Sequence, residues 1–540
     1  TDNFAADTDY TAIAVGGANT WDLELLALVD DTTTPASGKA KVRIGHLAPF
    51  ADGAANTLAD VRLQDDSLVI LDDVAFKDIN TYIELDAGTY DLKITTPDGS
   101  TTLIDPAPVT LNDGDVLSIF AVGDGTNQPL GAFAMFCCAE GFFLPLAEYG
   151  YVQIAHLAPF AADPDTAVSI EVDGVEVLSD FEYADSTAYV TLLAGVEHLI
   201  EVFPAGSATP AMTETVTLMA DGEYTVLATG GANDWDLDLV VLEDDNNAPD
   251  AGNAHVRIGH LAPFAAGAAN TLADVRLQDG TILLDNVAFG DIADYTPLEA
   301  GTYDLKITTA DGSTTLIDPM PVTLNDGDIV SVFAVGDGTN QDVGAFALPP
   351  DAEGALLPLA GYVQIAHLAP FAADPDTAVS IEVDGVEVLS DVEFADSTGY
   401  LPLEADVEHL IEIFPAGSST PAITGTATLM QGAEYAALAT GGANNWDLEL
   451  VLLEDDNSAP DAGKAHVRIG HLAPFADGAA NTRAVVRLQD GTVLLDVVEY
   501  GDIAAYMPLE AGTYDLKITT ADGSTTLIDP APVTLNDGDV

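Results

Sequence analysis

Apolar and polar residues alternate in short runs along this chain instead of recurring every three or four positions. In Val42–His46 the side chains of Val42, Ile44 and His46 fall on one face and those of Arg43 and Gly45 on the other, and Val152, Ile154 and His156 repeat the arrangement. A period of two is that of a half-buried strand. Further alternating runs follow, ADVRLQD, SLVILDD, TYIELDAG, TYDLKITT, APVTLND and DVLSIFAV, with turn signals at Pro97–Ser100 and Asn112–Asp115 between them. In Ser169–Leu178 the dipeptide Asp173–Gly174 stands between two alternating segments and predicts a two-residue hairpin. No segment sustains a helical period. Seven or eight short strands in about 105 residues predict an all-β chain of tandem immunoglobulin-like antiparallel β-sandwich domains.

The runs themselves repeat. VRIGHLAPFA stands at Val42–Ala51, Val256–Ala265 and Val467–Ala476, and VQIAHLAPFA at Val152–Ala161 and Val363–Ala372. His46, His156, His260, His367 and His471 are thereby 104 to 110 residues apart, a domain length and not a solenoid turn. Two types alternate. The A type continues with ADVRLQD, TYDLKITT and VTLNDGD, and the B type with SIEVDGVEVLSD, VEHLIE and ATGGAN. Residues 1–37 read as the C-terminal part of a B-type sandwich, 38–149 as A, 150–252 as B, 253–360 as A, 361–463 as B and 464–540 as an incomplete A. Phe4–Val29 reads as closing strands without a sandwich, and 464–540 lacks counterparts of Leu117–Ala134. Two accounts fit these ends: a piece cut from a longer continuous array, favoured because both are near-copies of internal sequence, or head and tail pairing between copies through donated strands.

The order V-x-I-x-H-x-x-P, then the VDG hairpin, then Ala87–Ile94 and Asp221–Ala228, resembles the DUF4397 domain family over essentially the whole chain. The resemblance implies a β-sandwich and a cell-surface or secreted setting in bacteria or archaea, and it implies no catalytic residue. The A type departs from the pattern, with VRLQDG at Val275–Gly280 in place of the VDG hairpin.

Charge narrows the partners. Fourteen basic against 89 acidic residues give a net charge of −75, so the chain repels nucleic acid and anionic membrane. With 48% of residues hydrophobic it is nevertheless no disordered polyanion. The cations are unevenly placed: Gly150–Asn253 and Gly361–Gly463 contain no Lys or Arg, so a phosphate site in a B domain would have no cationic side chain. Such a surface suits high ionic strength or divalent cations, which points to an extracellular or cell-surface location. The adjacent Cys137 and Cys138 build no disulfide framework, and no apolar run is long enough to insert in a membrane.

Candidate chemistry is sparse. The five repeated histidines could be metal ligands, but no cysteine or second histidine accompanies them at constant offset in both types. We read them as buried markers of the fold, their ring nitrogens bonded to loop backbone. The turns NDGD and GDGTN put oxygen donors on tight glycine loops, which makes Asp113, Asp115, Asp124, Asn127, Asp326, Asp328, Asp337 and Asn340 calcium candidates, as are the linkers Leu242–Gly252 and Leu453–Gly463. The same residue types also serve ordinary turns. Trp21, Trp235 and Trp446 follow GGAN at equivalent positions, each either covering the end of its own sandwich core or offering a sugar platform. No nucleophile-elbow, Walker or zinc-protease motif is present, and catalytic sites are not normally built five times. The expectation is a non-enzymatic extracellular structural protein, a rod or filament of repeated modules without a cofactor, self-associating head to tail or by strand complementation. The alternative is an adhesin-type stalk or a glycan- or calcium-binding repeat.

Overall fold

The computed structural model describes residues 4–137, 139–162, 164–372 and 377–540. Two compact units are distinguished, one running up to Val152 with Val190–His198 and Thr215–Tyr224, the other comprising Gln153–Tyr189, Leu199–Glu214 and Thr225–Val540. Strands dominate throughout, as the alternation predicts, and the helical turns among the described residues are three-residue 3₁₀ segments such as Ala268–Asn270.

The A type is seen whole at 253–360. One sheet runs in the order Thr296–Glu299, Asn253–His260, Ile329–Val335, Gly344–Leu348, Ala355–Leu356, and the facing sheet in the order Ile282–Val287, Ala273–Leu277, Leu305–Thr309, Thr315–Ile317. A short ribbon pairs Gly301–Tyr303 with Val322–Leu324. The B type at 361–463 has two four-stranded sheets, Leu401–Glu404, Ala360–His367, Glu434–Thr440, Glu449–Glu454 facing Val386–Val392, Val379–Val383, Glu408–Pro415, Ile423–Thr428. Pairing is antiparallel in these sandwiches except once per module: His255–His260 runs parallel to Ile329–Ala334, and Tyr362–His367 parallel to Glu434–Ala439. In both modules the first strand lies second in its sheet, antiparallel to one neighbour and parallel to the other.

Local chemistry sets the turns. Asp173 and Gly174 both hold positive φ, 54° and 76°, and join Val172 to Val175 as the predicted two-residue hairpin. Tyr10–Val15 pairs with Glu24–Val29 in the register of two closing B strands.

The repeated frame departs from expectation in one respect. Lys39–His46 is buried at nearly every position, not on one face alone. The outward-pointing Arg43 is 4% exposed. At Gly45 an added Cβ would stand 2.8 Å from both Ile79 and Phe120, and at Gly259 2.7 Å from Phe333. The second face is therefore an internal contact surface, covered partly by residues of its own module such as Ile79, Tyr82 and Phe120 and partly by the preceding segment through Val29 and Asp30.

Candidate functional site

The sequence feature with the most consistent geometry is the B-to-A junction, built three times. It begins in the GGAN loop. Gly230 has φ 77°, and a Cβ there would stand 2.0 Å from the Asp236 carbonyl oxygen, so only glycine permits the reversal that aims Asn233 and Trp235 forward. The Asn233 amide donates to Pro263 O at 2.7 Å and the Trp235 indole to Ala265 O at 2.9 Å, both in the HLAPFA loop of the next module. Asn19 and Trp21 reach Pro49 and Ala51 in the same way, and Asn444 and Trp446 reach Pro474 and Ala476. The indoles lie on Phe76, Phe289 and Tyr500 with ring centroids 4.5, 4.4 and 4.2 Å apart.

Beside this clamp lies an ion pair. Arg257 donates to Asp244 at 2.7 Å, to Glu243 O at 3.3 Å and to Ser331 Oγ at 2.9 Å, and its guanidinium lies 4.6 Å from the Tyr295 ring centroid. Arginine and aspartate side chains are only 4% and 2% exposed. Arg43 repeats the pattern with Asp30, Val29 O, Ser118 and Tyr82, and Arg468 with Asp455, Glu454 O and Tyr506. One aspartate of the acidic pair that ends each B segment is thus met by the arginine of the following A strand.

At 153–360 the contact is reciprocal. Asn340 and Gln341 of the A module donate to Pro159 O and Ala161 O of the B module, each at 3.0 Å. Gln153, which holds in VQIAH the place of Arg257 in VRIGH, donates to Pro349 O at 3.1 Å and Ala352 O at 2.5 Å. Between the two sets of bonds, Ala155, Leu157 and Leu227 pack with Leu261, Phe333, Val335, Phe346 and Leu348 in one buried cluster. At the first junction, Val15, Trp21, Leu26 and Leu28 pack on Leu47, Phe76 and Phe120, which places the opening hairpin on the module that follows it.

The A-to-B joint uses a different device. Tyr362 donates its hydroxyl to Asp318 at 2.9 Å while Gln278 donates to both, at 2.6 and 2.7 Å. Tyr149, Asp105 and Gln64 form the corresponding set. The tyrosines occupy different frame positions, three residues before Val152 and one before Val363, which a strand's period of two places on the same face. Burial raises the Asp318 carboxyl to about 6, opposed by the two donors, and raises the Tyr362 hydroxyl as well.

The repeated histidines lie where a fold marker should. Nε2–H donates to the carbonyl of Thr57, Thr166, Thr271, Thr377 or Thr482 at 2.6 to 3.1 Å. Each ring stacks on the phenylalanine of its own HLAPF at 5.4 to 5.6 Å. Burial lowers the imidazoles of His46, His156, His260 and His367, that of His156 to about 4.

The calcium candidates are distributed over separate turns. Asp113 and Asp326 accept the amides of Gly38 and Gly252, and Asp115 and Asp328 accept the backbone and side-chain amides of Asn112 and Asn325. Asp124 accepts three backbone amides and the Asn127 side chain, which holds its carboxyl down at about 2. Asp337 and Asn340 repeat that loop. In the linkers, Asp245 and Asp456 accept from Asn247 and Ser458. Among the described residues one group of three carboxylates converges, Asp60, Asp72 and Asp73, with oxygens within 4.8 Å, and Arg62 already pairs with Asp60. Cys137 is exposed, and Cys138 lies outside the described residues.

The tryptophans combine a core contact with a junction bond: Trp21 packs with Ile13, Val15, Leu26 and Leu28 of its own segment and with Phe76 of the next, and the polar edge of each indole is bonded to the next module. The arginine, asparagine and tyrosine of the junctions were not singled out from the sequence. Their signal is there, in an arginine confined to the A frame and an acidic pair closing each B segment.

The profile of a domain of unknown function, DUF4397, matches residues 1–55, 50–161, 150–270, 264–374 and 361–478. No curated protein matches the chain. Solved structures with some similarity include the Bacillus anthracis TIE protein, at 12% identity over 80% of this chain and 74% of that one, with a TM-score of 0.13. The major pilin BcpA of Bacillus cereus is 13% identical over 54% and 97%, TM-score 0.10, and the major pilin RrgB of Streptococcus pneumoniae 10% identical over 84% and 96%, TM-score 0.13. Scores this low establish no shared arrangement.

Proposed function

Since the chain belongs to the DUF4397 family, whose function is undefined, we propose from its own junctions that it is a non-enzymatic extracellular structural protein, a rod- or filament-forming array of coupled modules. The observation that carries this reading is the B-to-A junction, repeated three times with the same tryptophan, asparagine, arginine and aspartate. A flexible string of independent binding domains has no use for a buried ion pair and an apolar cluster between neighbours. A mechanically continuous array does. The fivefold recurrence of the histidine frame supports length over catalysis.

The net charge of −75 supports a location outside the cell, where salt screens repulsion between modules. No helix among the described residues is long and apolar enough to cross a membrane. Self-association, head to tail or by strand complementation between copies, is the finer part of the proposal. Negative-stain electron microscopy of the intact chain at low and high NaCl tests this. Regular fibres of constant width support the filament, whereas monodisperse single particles at every salt concentration would leave the adhesin-type stalk as the better reading.

A further inference from the structure

We propose that the A-type module at 253–360 binds a small uncharged apolar molecule, of the size of a simple aromatic or a short alkyl chain, in a cavity between its two sheets. The cavity has a volume of about 190 Å³, with Ile258 and Val332 contributed by one sheet and Val275 and Leu305 by the other. Two lining side chains carry polar atoms, and both are already engaged. His260 donates to Thr271 O, and the Tyr303 hydroxyl donates to Glu299 O at 2.7 Å. A water molecule needs two to four polar partners to settle in such a space, whereas an apolar cavity of roughly 150 Å³ stays dry and accepts benzene.

Packing gives an independent sign of the same gap. The buried core of the B module at 361–463 is one continuous cluster, running from Val363 and Ile365 through Ile381, Ile411 and Ile413 to Leu429. In the A module the buried residues fall into separate clusters: Ala262, Ile317, Ala334 and Ala345 in one, Ala254, Val256 and Leu324 in a second, and Leu261, Phe333, Val335, Phe346 and Leu348 in a third that packs on the preceding module. The cause is local. Ala273 and Val275 occupy the strand positions that Val379 and Ile381 hold in the B module, each pair in the same register against its neighbours. The larger B side chains close the space that the A side chains leave open.

The cavity also recurs where it should. In the first A module the corresponding residues, among them Ile44, Val61 and Leu92, line a smaller space of about 40 Å³, where Ile119 replaces Val332. Leu283, 47% exposed and lining the cavity at 253–360, marks its mouth. Charge selects the ligand class. A carboxylate or sulfate head would meet a chain of net charge −75 and no unused donor on the cavity wall, so an anionic amphiphile is disfavoured against a neutral hydrocarbon.

Methyl-detected NMR on the intact chain, with toluene as the probe, tests the site. The Ile258 and Ile307 methyl signals should shift saturably. The double substitution Ala273→Val with Val275→Ile, which installs the B-type wall, should abolish those shifts while holding or raising the melting temperature. Val332→Ile, the residue of the first module, should weaken binding about fourfold, the effect of one methylene's contact surface. Absence of saturable shifts in the native chain overturns the proposal, and so does full retention of them in the folded double variant.

Discussion

His156 holds its place by staying neutral. Its Nε2–H reaches Thr166 O inside a buried, phenylalanine-stacked pocket, and burial lowers its pKa from 6.5 to about 4. A folded-state pKa below the unfolded value means that the contribution is complete above pH 6.5 and is lost as pH falls through 6.5 toward 4. The full loss is about 3 kcal/mol by the usual conversion. Urea midpoints of the wild type should therefore drop between pH 7.5 and 5, and His156→Gln should flatten that slope at the cost of lower stability at pH 7.5. Asp318 works in the opposite sense, because its folded pKa lies above 3.8, so its carboxylate disfavours folding above about pH 6 and the penalty fades as pH falls toward 4. Asp318→Asn should raise the midpoint at pH 7.5 relative to its effect at pH 4.5. Arg257 and Asp244 offer a third test at this scale. Arg257→Met strands a buried carboxylate and should cost about 3–5 kcal/mol, while the double variant Arg257→Met with Asp244→Leu should recover most of it. A double-mutant cycle by chemical denaturation measures the difference.

At the level of the element, the first strand at Asn253–His260 is covered on both faces: one closes its own sandwich, and on the other Gly259 is hemmed in by Phe333 and Ile292 of the same module, with Phe333 packing in turn on Ala155, Leu157 and Leu227 of the preceding one. Gly259→Ala places a methyl group 2.7 Å from the Phe333 ring and should destabilise the protein by about 1–3 kcal/mol, read as a shifted denaturation midpoint. The B frame already carries Ala366 at that place, so Ala366→Gly should be far milder. The GGAN loop is the matching element on the other side. Trp235→Phe keeps a ring beside Phe289 but deletes the bond to Ala265, an expected loss of about 1 kcal/mol.

For the whole molecule the dominant quantity is charge. With 89 acidic residues and 14 basic ones, most carboxylates have no cation to pair with. Thermal stability should rise with NaCl as screening shortens the range of repulsion. Calcium at matched ionic strength separates screening from coordination: equal midpoints in the two salts mean screening alone, and an added rise with calcium requires a defined site.

The alternation of side chains, the glycine and aspartate of the turns and the recurrence of one histidine frame were enough to determine an all-β chain of two alternating sandwich types, because strand period and turn geometry are local properties. The histidine's role was legible for the same reason: its partner is the backbone of a nearby loop, 10 or 11 residues on. The parallel pair within each sheet was not legible, since it joins segments more than 70 residues apart. Nor were the junction partners. Whether Arg257 ends in solvent or beneath a neighbouring module depends on which surfaces the tertiary structure brings together, and no pattern along the strand distinguishes an outward face that meets water from one that meets Asp244 and Glu243.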